Sequence, residues 1–238
     1  MIEAIFFDFN GVIIDDERLQ MAAYQDVLRA HGIELTEEAY FGSLGMSDEV
    51  FVRTTFQREG KQLPDATLQS VLDNKSVVHR KLIGDELPLC PGVVTFLKAT
   101  SRYYELGLVS MATANEISYA LDRALLRPLF SVIVTAEDVS ACKPSPECYE
   151  CAFRKLNEQR LTRRQLPLLA EECLVVEDSP PGIQSGRAAG MRTLGVTNTV
   201  SERELRAAGA EIVTHSLADW TVDAVYHLFS EPVAASHP

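Results

Sequence analysis

Two rhythms of apolar and polar positions divide this chain. The N-terminus opens on a continuous apolar run, Ile5-Phe6-Phe7, which ends in Asp8 and is followed by Gly11. An unbroken short run predicts an inner strand of a parallel sheet, buried on both faces. Gly11 lets the backbone turn sharply after it. Asp8 then falls at the carboxyl end of a strand, where open α/β sheets hold their ligands. The plainer reading is an aspartate that caps the next turn.

After Asp15 the rhythm turns helical. Leu19, Ala22, Ala23, Val27 and Leu28 recur at helical spacing up to Gly32. Ser47 with Asp48 and Glu49 reads as an N-cap and an acidic first turn, leading a helix to Gly60. Asp65 starts another, with Leu68, Val71, Leu72 and Val78 on its apolar side. No strand is predicted between Asp15 and Gly84. Alternation of strand and helix then resumes. Strands are expected at Tyr104 to Ser110, Phe130 to Thr135, Leu174 to Val176 and Thr193 to Val196, with a short edge at Ile212-Val213. Capping boxes are expected at Thr113/Glu116 and Ser201/Glu204, and an N-cap with a proline behind it at Ser145-Pro146. The segment from Arg154 to Ala170 is basic and reads as a solvated extension.

Composition narrows the function. The chain has 238 residues, 46% of them hydrophobic, enough for one large domain or a domain with an insertion. Lys and Arg total 22 against 34 Asp and Glu, a formal net charge of −12. That balance argues against a nucleic-acid or anionic-membrane surface. No apolar run is long enough to span a bilayer, and no signal peptide is visible. Five cysteines without framework spacing suggest a reducing, cytoplasmic compartment. Cys148 and Cys151 are read as packing residues on one helix turn rather than as a metal or redox pair.

Four predicted strand ends carry polar groups: Asp8, Ser110, the loop with Lys143, and Glu177-Asp178. Crossover helices would bring them to one sheet edge. Carboxylates there can hold Mg²⁺, and a lysine with a hydroxyl suits a phosphoryl group. Singly, Ser110 reads as a turn serine, Lys143 as a surface lysine and Glu177-Asp178 as a helix-cap pair.

The motifs resemble those of the haloacid dehalogenase superfamily of phosphatases and phosphotransferases. They are Phe7-Asp8-Phe9-Asn10-Gly11-Val12, the strand ending at Ser110, Lys143-Pro144-Ser145-Pro146, and Val176-Glu177-Asp178-Ser179-Pro180-Pro181-Gly182-Ile183. The likeness is greatest to the branch with a small helical cap, the β-phosphoglucomutase-like and phosphoglycolate-phosphatase-like enzymes. It implies a three-layer Rossmann-like parallel core, residues 1–15 and 85–238, with an all-helical cap domain inserted at 16–84. It implies a Mg²⁺-dependent phosphatase or phosphotransferase acting on a small phosphorylated metabolite such as a sugar phosphate. Asp8 resembles the nucleophile that becomes an aspartyl phosphate. Asp178, with Asp8 and the main-chain carbonyl of Asn10, resembles the Mg²⁺ ligand set, and Glu177 would help to place the metal. Ser110 and Lys143 resemble the pair that binds phosphoryl oxygens. In the cap, Gly45-Met46-Ser47 resembles the loop that reaches the substrate.

One position departs from the family pattern. Its phosphatases and mutases carry a second aspartate where this chain has Asn10, and an amide exchanges no proton at neutral pH. Asp15, Asp16 and Glu17 are the neighbouring acids that could replace it. The other reading of Asn10 is a weak or inactive relative that binds phosphate or a metabolite. A mutase is disfavoured by Gln20, where related mutases have a histidine. A dehalogenase is disfavoured by Lys143 and the Glu177-Asp178 pair. A phosphonate hydrolase would need a Schiff-base lysine among Lys61, Lys75 and Lys81. The sequence does not disclose the oligomeric state.

Overall fold

The computed structural model describes residues 1–229. The order of elements is β1 (Ala4–Phe7), α1 (Glu17–Arg29), α2 (Glu37–Phe41), α3 (Asp48–Arg58), α4 (Asp65–Ile83), α5 (Val93–Thr100), β2 (Glu105–Val109), α6 (Ala114–Ala124) and β3 (Val132–Val134). Then follow α7 (Glu147–Thr162), β4 (Cys173–Glu177), α8 (Pro180–Ala188), β5 (Arg192–Val196), α9 (Glu202–Ala208), β6 (Ile212–Thr214) and α10 (Val222–Leu228).

The six strands form one parallel sheet in the order β3-β2-β1-β4-β5-β6. In β1, Ile5 and Phe7 pack on one face, with Phe96, Leu121 and Val225 of α5, α6 and α10. Ala4 and Phe6 pack on the other, with Tyr149, Ala152 and Leu156 of α7. A strand buried on both faces needs apolar residues at every position, which is why the run is unbroken. The chain builds β1, β2 and β3 outward in one direction, then crosses to lay β4 on the other side of β1. That reversal opens a crevice between the carboxyl ends of β1 and β4.

Helices α1 to α4 all fall between β1 and β2, with no strand among them. Their apolar faces meet in a separate cluster that includes Tyr24, Leu28, Tyr40, Phe51, Phe56 and Val71. The chain enters and leaves this block side by side: Ile14 pairs antiparallel with Leu89, and the Asp15 N–H donates to the Pro88 carbonyl at 2.6 Å.

Several details differ from expectation. The five-residue α2 was not predicted. The basic segment is in large part the continuation of α7, and Arg160 is no free cation, since it donates to Glu105 at 2.6 Å. Helix α7 begins after Pro146, one residue later than expected, while Ser145 Oγ accepts from the Glu147 N–H. Cys148 and Cys151 are buried in α7 with free thiols. The Ser201/Glu204 capping box forms. At the head of α6 only half of the other box forms. Thr113 accepts from the Glu116 N–H, but the Glu116 side chain turns to Lys75.

Candidate active site

Asp8 lies one residue beyond β1, Glu177 ends β4 and Asp178 lies one residue beyond it, so three acids share the crevice. Gly11 holds φ at +71°, and a Cβ there would sit 1.8 Å from Asp178 Oδ2. The turn needs glycine for both reasons. Lys143 reaches in from the loop before α7. Its Nζ donates to Asp8 Oδ1 at 2.8 Å and to Glu177 Oε1 at 2.5 Å. Glu177 is held on both oxygens, Oε1 also accepting from Tyr149 Oη at 2.7 Å and Oε2 from Ser179 Oγ at 3.1 Å. Ser110 follows β2, buried, its Oγ accepting from the Ala112 N–H at 3.0 Å.

The electrostatics follow from burial. Desolvation raises Asp8, with the Glu177 charge acting the same way and Lys143 opposing, to a pKa of about 7. Asp178 is pushed well above the ordinary carboxylate range by burial and then by Glu177, Asp8 and Glu17. Burial works against the Lys143 cation, but Asp8 and Glu177 hold it above the usual lysine range. One oxygen each from Asp8, Glu177 and Asp178 lie within 4.8 Å of one another, and Asp178 Oδ2 is buried with no hydrogen-bond partner. An acid cluster with an orphaned oxygen fits a hard divalent cation such as Mg²⁺.

Asp8, Asn10, Ser110, Lys143, Asp178, Gly45 and Met46 line one cavity of about 90 Å³ between the sheet edge and the helical block. Glu177 stands behind this wall. Gly45 comes close to the core, where a Cβ would lie 2.9 Å from Pro181 Cγ and 3.1 Å from Lys143 Cβ. Ser47 is outside the cavity. It caps α3 by accepting from the Val50 N–H, and its own N–H donates to Cys142 Sγ.

The Asn10 side chain donates to Asp16 Oδ1 at 2.9 Å. Asp16 Oδ2 accepts from Gln20 Nε2 at 3.2 Å and lies 2.9 Å from His79 Nε2. Glu17, the first residue of α1, lines the cavity, and Tyr40 Oη donates to its Oε2 at 2.6 Å. Burial, then the neighbouring Asp16 charge, lifts Glu17 to a pKa of about 7.

Sequence reasoning missed the far wall. Lys75 of α4 is fully buried and lies 2.8 Å from both Asp48 Oδ2 and Glu116 Oε1, bridging the helical block to α6. These two carboxylates keep it charged against the cost of burial, the opposite of what a Schiff-base amine needs. A lysine on the buried stripe of α4 was the available signal. Its partners are distant in sequence and invisible to local patterns.

Comparisons with known proteins bear on the fold and the family. The chain is 28% identical over 218 residues to the phosphorylated carbohydrates phosphatase of Thermotoga maritima, covering 88% of this chain and 92% of that protein. It is 28% identical to hexitol phosphatase B of Escherichia coli, covering 92% and 95%. The crystal structure of an aspartate-to-asparagine mutant of CbbY from Rhodobacter sphaeroides, in complex with xylulose-(1,5)bisphosphate, superposes with a TM-score of 0.77 at 25% identity, covering 92% of this chain and 96% of that one. The β-phosphoglucomutase of Clostridium difficile shares the fold, with a TM-score of 0.83 at 22% identity and coverage of 97% and 98%. The family model for haloacid dehalogenase-like hydrolases matches residues 5–196, and the chain belongs to that family.

Proposed function

We propose that this chain is a phosphatase that removes a phosphoryl group from a small phosphorylated sugar or polyol, with Asp8 as nucleophile. The helical block, residues 16–84, acts as its cap. The observation that carries the reading is Lys143 bonded to Asp8 beside the unpartnered oxygen of Asp178. The named relatives that act on phosphorylated carbohydrates and hexitols support the substrate class.

Asp8 and Asp178, with the main-chain carbonyl of Asn10, would hold Mg²⁺. When bound, the ion neutralises charge on the phosphoryl oxygens and the attacking carboxylate. Glu177 acts one step back, fixing Lys143 through Oε1. In the first step an Asp8 carboxylate oxygen attacks phosphorus, the bond from phosphorus to the sugar oxygen breaks, and that oxygen takes a proton. In the second, water attacks phosphorus, gives up a proton, and frees Asp8 and inorganic phosphate. Lys143 offsets the negative charge in both steps, and Ser110 contacts the phosphoryl oxygens.

Asn10 cannot carry the proton. We assign that role to Glu17, a cavity-lining carboxyl whose pKa of about 7 suits both giving and taking a proton near neutral pH. Tyr40 orients it.

The test is release of phosphate from a panel of sugar and polyol phosphates, with Mg²⁺ and with excess chelator, for the parent and for Asp8→Ala. Turnover that needs both Asp8 and the metal is expected. Turnover that survives either removal rejects the assignment. A panel without turnover, coupled to tight binding of the same esters, supports a binding module instead.

A further inference from the structure

The cavity has two chemically distinct ends. At one end Lys143 provides the charge that suits a phosphoryl group. The other is walled by Gln20, Tyr24 and Asp48 from the helical block and by Glu116 from α6. Three buried oxygens on this wall have no hydrogen-bond partner: Gln20 Oε1, Tyr24 Oη and Glu116 Oε2. The other polar ends of Gln20 and Glu116 are engaged. Gln20 Nε2 donates to Asp16, which leaves the carbonyl oxygen free to accept, and Glu116 Oε1 accepts from Lys75. The cation of Lys75 is not offered to the cavity, because it sits between Asp48 and Glu116 and is fully buried. The wall therefore presents two acceptor oxygens, the Tyr24 hydroxyl and negative charge, with no uncommitted cation among its lining residues.

Unsatisfied buried acceptors select donors. A carboxylate or a second phosphate dianion has no proton to give, and it meets Asp48 and Glu116 as like charges. Hydroxyl groups match on both counts. We infer that Gln20 and Glu116 are specificity-determining residues that accept hydrogen bonds from hydroxyls of an uncharged polyol or sugar leaving group, and that this end of the cavity excludes substrates with a second anionic group. The inference rests on the phosphatase reading above. It separates this chain from the CbbY relative, whose bound ligand is a bisphosphate.

The experiment compares kcat/KM for three esters under Mg²⁺: a hexitol monophosphate, the bisphosphate of the same skeleton, and phosphoglycolate. The monophosphate is expected to lead each of the others by at least about tenfold. Gln20→Leu should raise KM for the hexitol ester by about tenfold and lower its kcat/KM relative to an aryl phosphate, which has no hydroxyls to donate. Asp48→Asn removes one partner of Lys75 and one negative charge. It should narrow the gap between monophosphate and bisphosphate by about tenfold, mainly through KM. Thermal melts of each variant establish that it is folded. A bisphosphate or phosphoglycolate turned over as well as the monophosphate overturns the inference alone. So do equal losses on hexitol and aryl esters in Gln20→Leu. A chain inert towards every ester overturns the phosphatase reading, and the inference with it.

Discussion

Replacing Asn10 with the family's aspartate is not a neutral restoration in this chain. The amide donates to Asp16 at 2.9 Å, so Asn10→Asp sets two carboxylates face to face. Two unit charges at that separation repel by about 6 kcal/mol at an effective dielectric constant of ~20. One pKa unit corresponds to about 1.4 kcal/mol, so the pair keeps one proton at neutral pH. Keeping a proton on a group whose unfolded pKa is near 4 costs roughly 3–4 kcal/mol of stability at pH 7. The sign is that of a raised folded-state pKa on an acid: the penalty is absent below about pH 4 and grows as pH rises. For a chain of this size the melting temperature should fall by about 10 °C at pH 7, with the gap to the parent closing towards pH 4. The exchange variant, Asn10→Asp with Asp16→Asn, puts the amide and the carboxylate at opposite ends of the same hydrogen bond. The introduced amide oxygen can still accept from Gln20. It should melt near the parent at pH 7. It also places an exchangeable proton beside Asp8, so kcat on a hexitol phosphate should rise by up to about 10²–10⁴, less whatever Glu17 already contributes. Differential scanning fluorimetry from pH 4.5 to 8, paired with phosphate release, reads both effects. A single variant as stable as the parent at every pH would refute the electrostatic reasoning.

Glu17→Gln, mixed with acetyl phosphate and Mg²⁺, should accumulate one phosphoryl group on Asp8, because an activated donor needs no proton to leave whereas the water in the second step needs a base. Intact mass after acid quench reads it, and an adduct no longer-lived than the parent's removes Glu17 from the scheme. In metal-free buffer, Glu17→Gln should match the parent's melting temperature near pH 4.5 and exceed it at pH 8. The parent's raised carboxyl gains stability from its proton only below a pKa of about 7; a pH-independent difference would contradict this. Lys143→Met leaves Asp8 and Glu177 without their shared cation and should cost ~3 kcal/mol or more in urea unfolding as well as activity. Stability equal to the parent's would mean that the acids find another counter-charge.

The parallel sheet and the sheet-edge acids were legible because each is a local pattern: an apolar run, a terminal acid, a glycine. Asp8, Lys143 and Asp178 meet where the strand-end rule predicts. The far wall was not legible, for a physical reason. Glu116 satisfies a capping-box pattern, yet a box is worth about 1 kcal/mol, and a buried lysine with no partner costs more. The distant lysine won the side chain. Helix α2 is a five-residue turn capped by Thr36, too short to show a period. The basic stretch after Arg154 looked solvated because the partner of Arg160, Glu105, belongs to a strand far back in the chain.

The paired crossing at Ile14 and Leu89 has a mechanical consequence. A body hung on two separate tethers can swing and twist freely. A body hung on two strands bonded to each other is left mainly with rotation about one pin. Here the pin adjoins the turn after Asp8: Asn10 bridges to Ile14, and the Gly11 N–H donates to the Ile14 carbonyl at 2.7 Å. Any rotation of the helical block is thus levered on the residues that flank Asp8, so the position of the block and the shape of that turn are geared together.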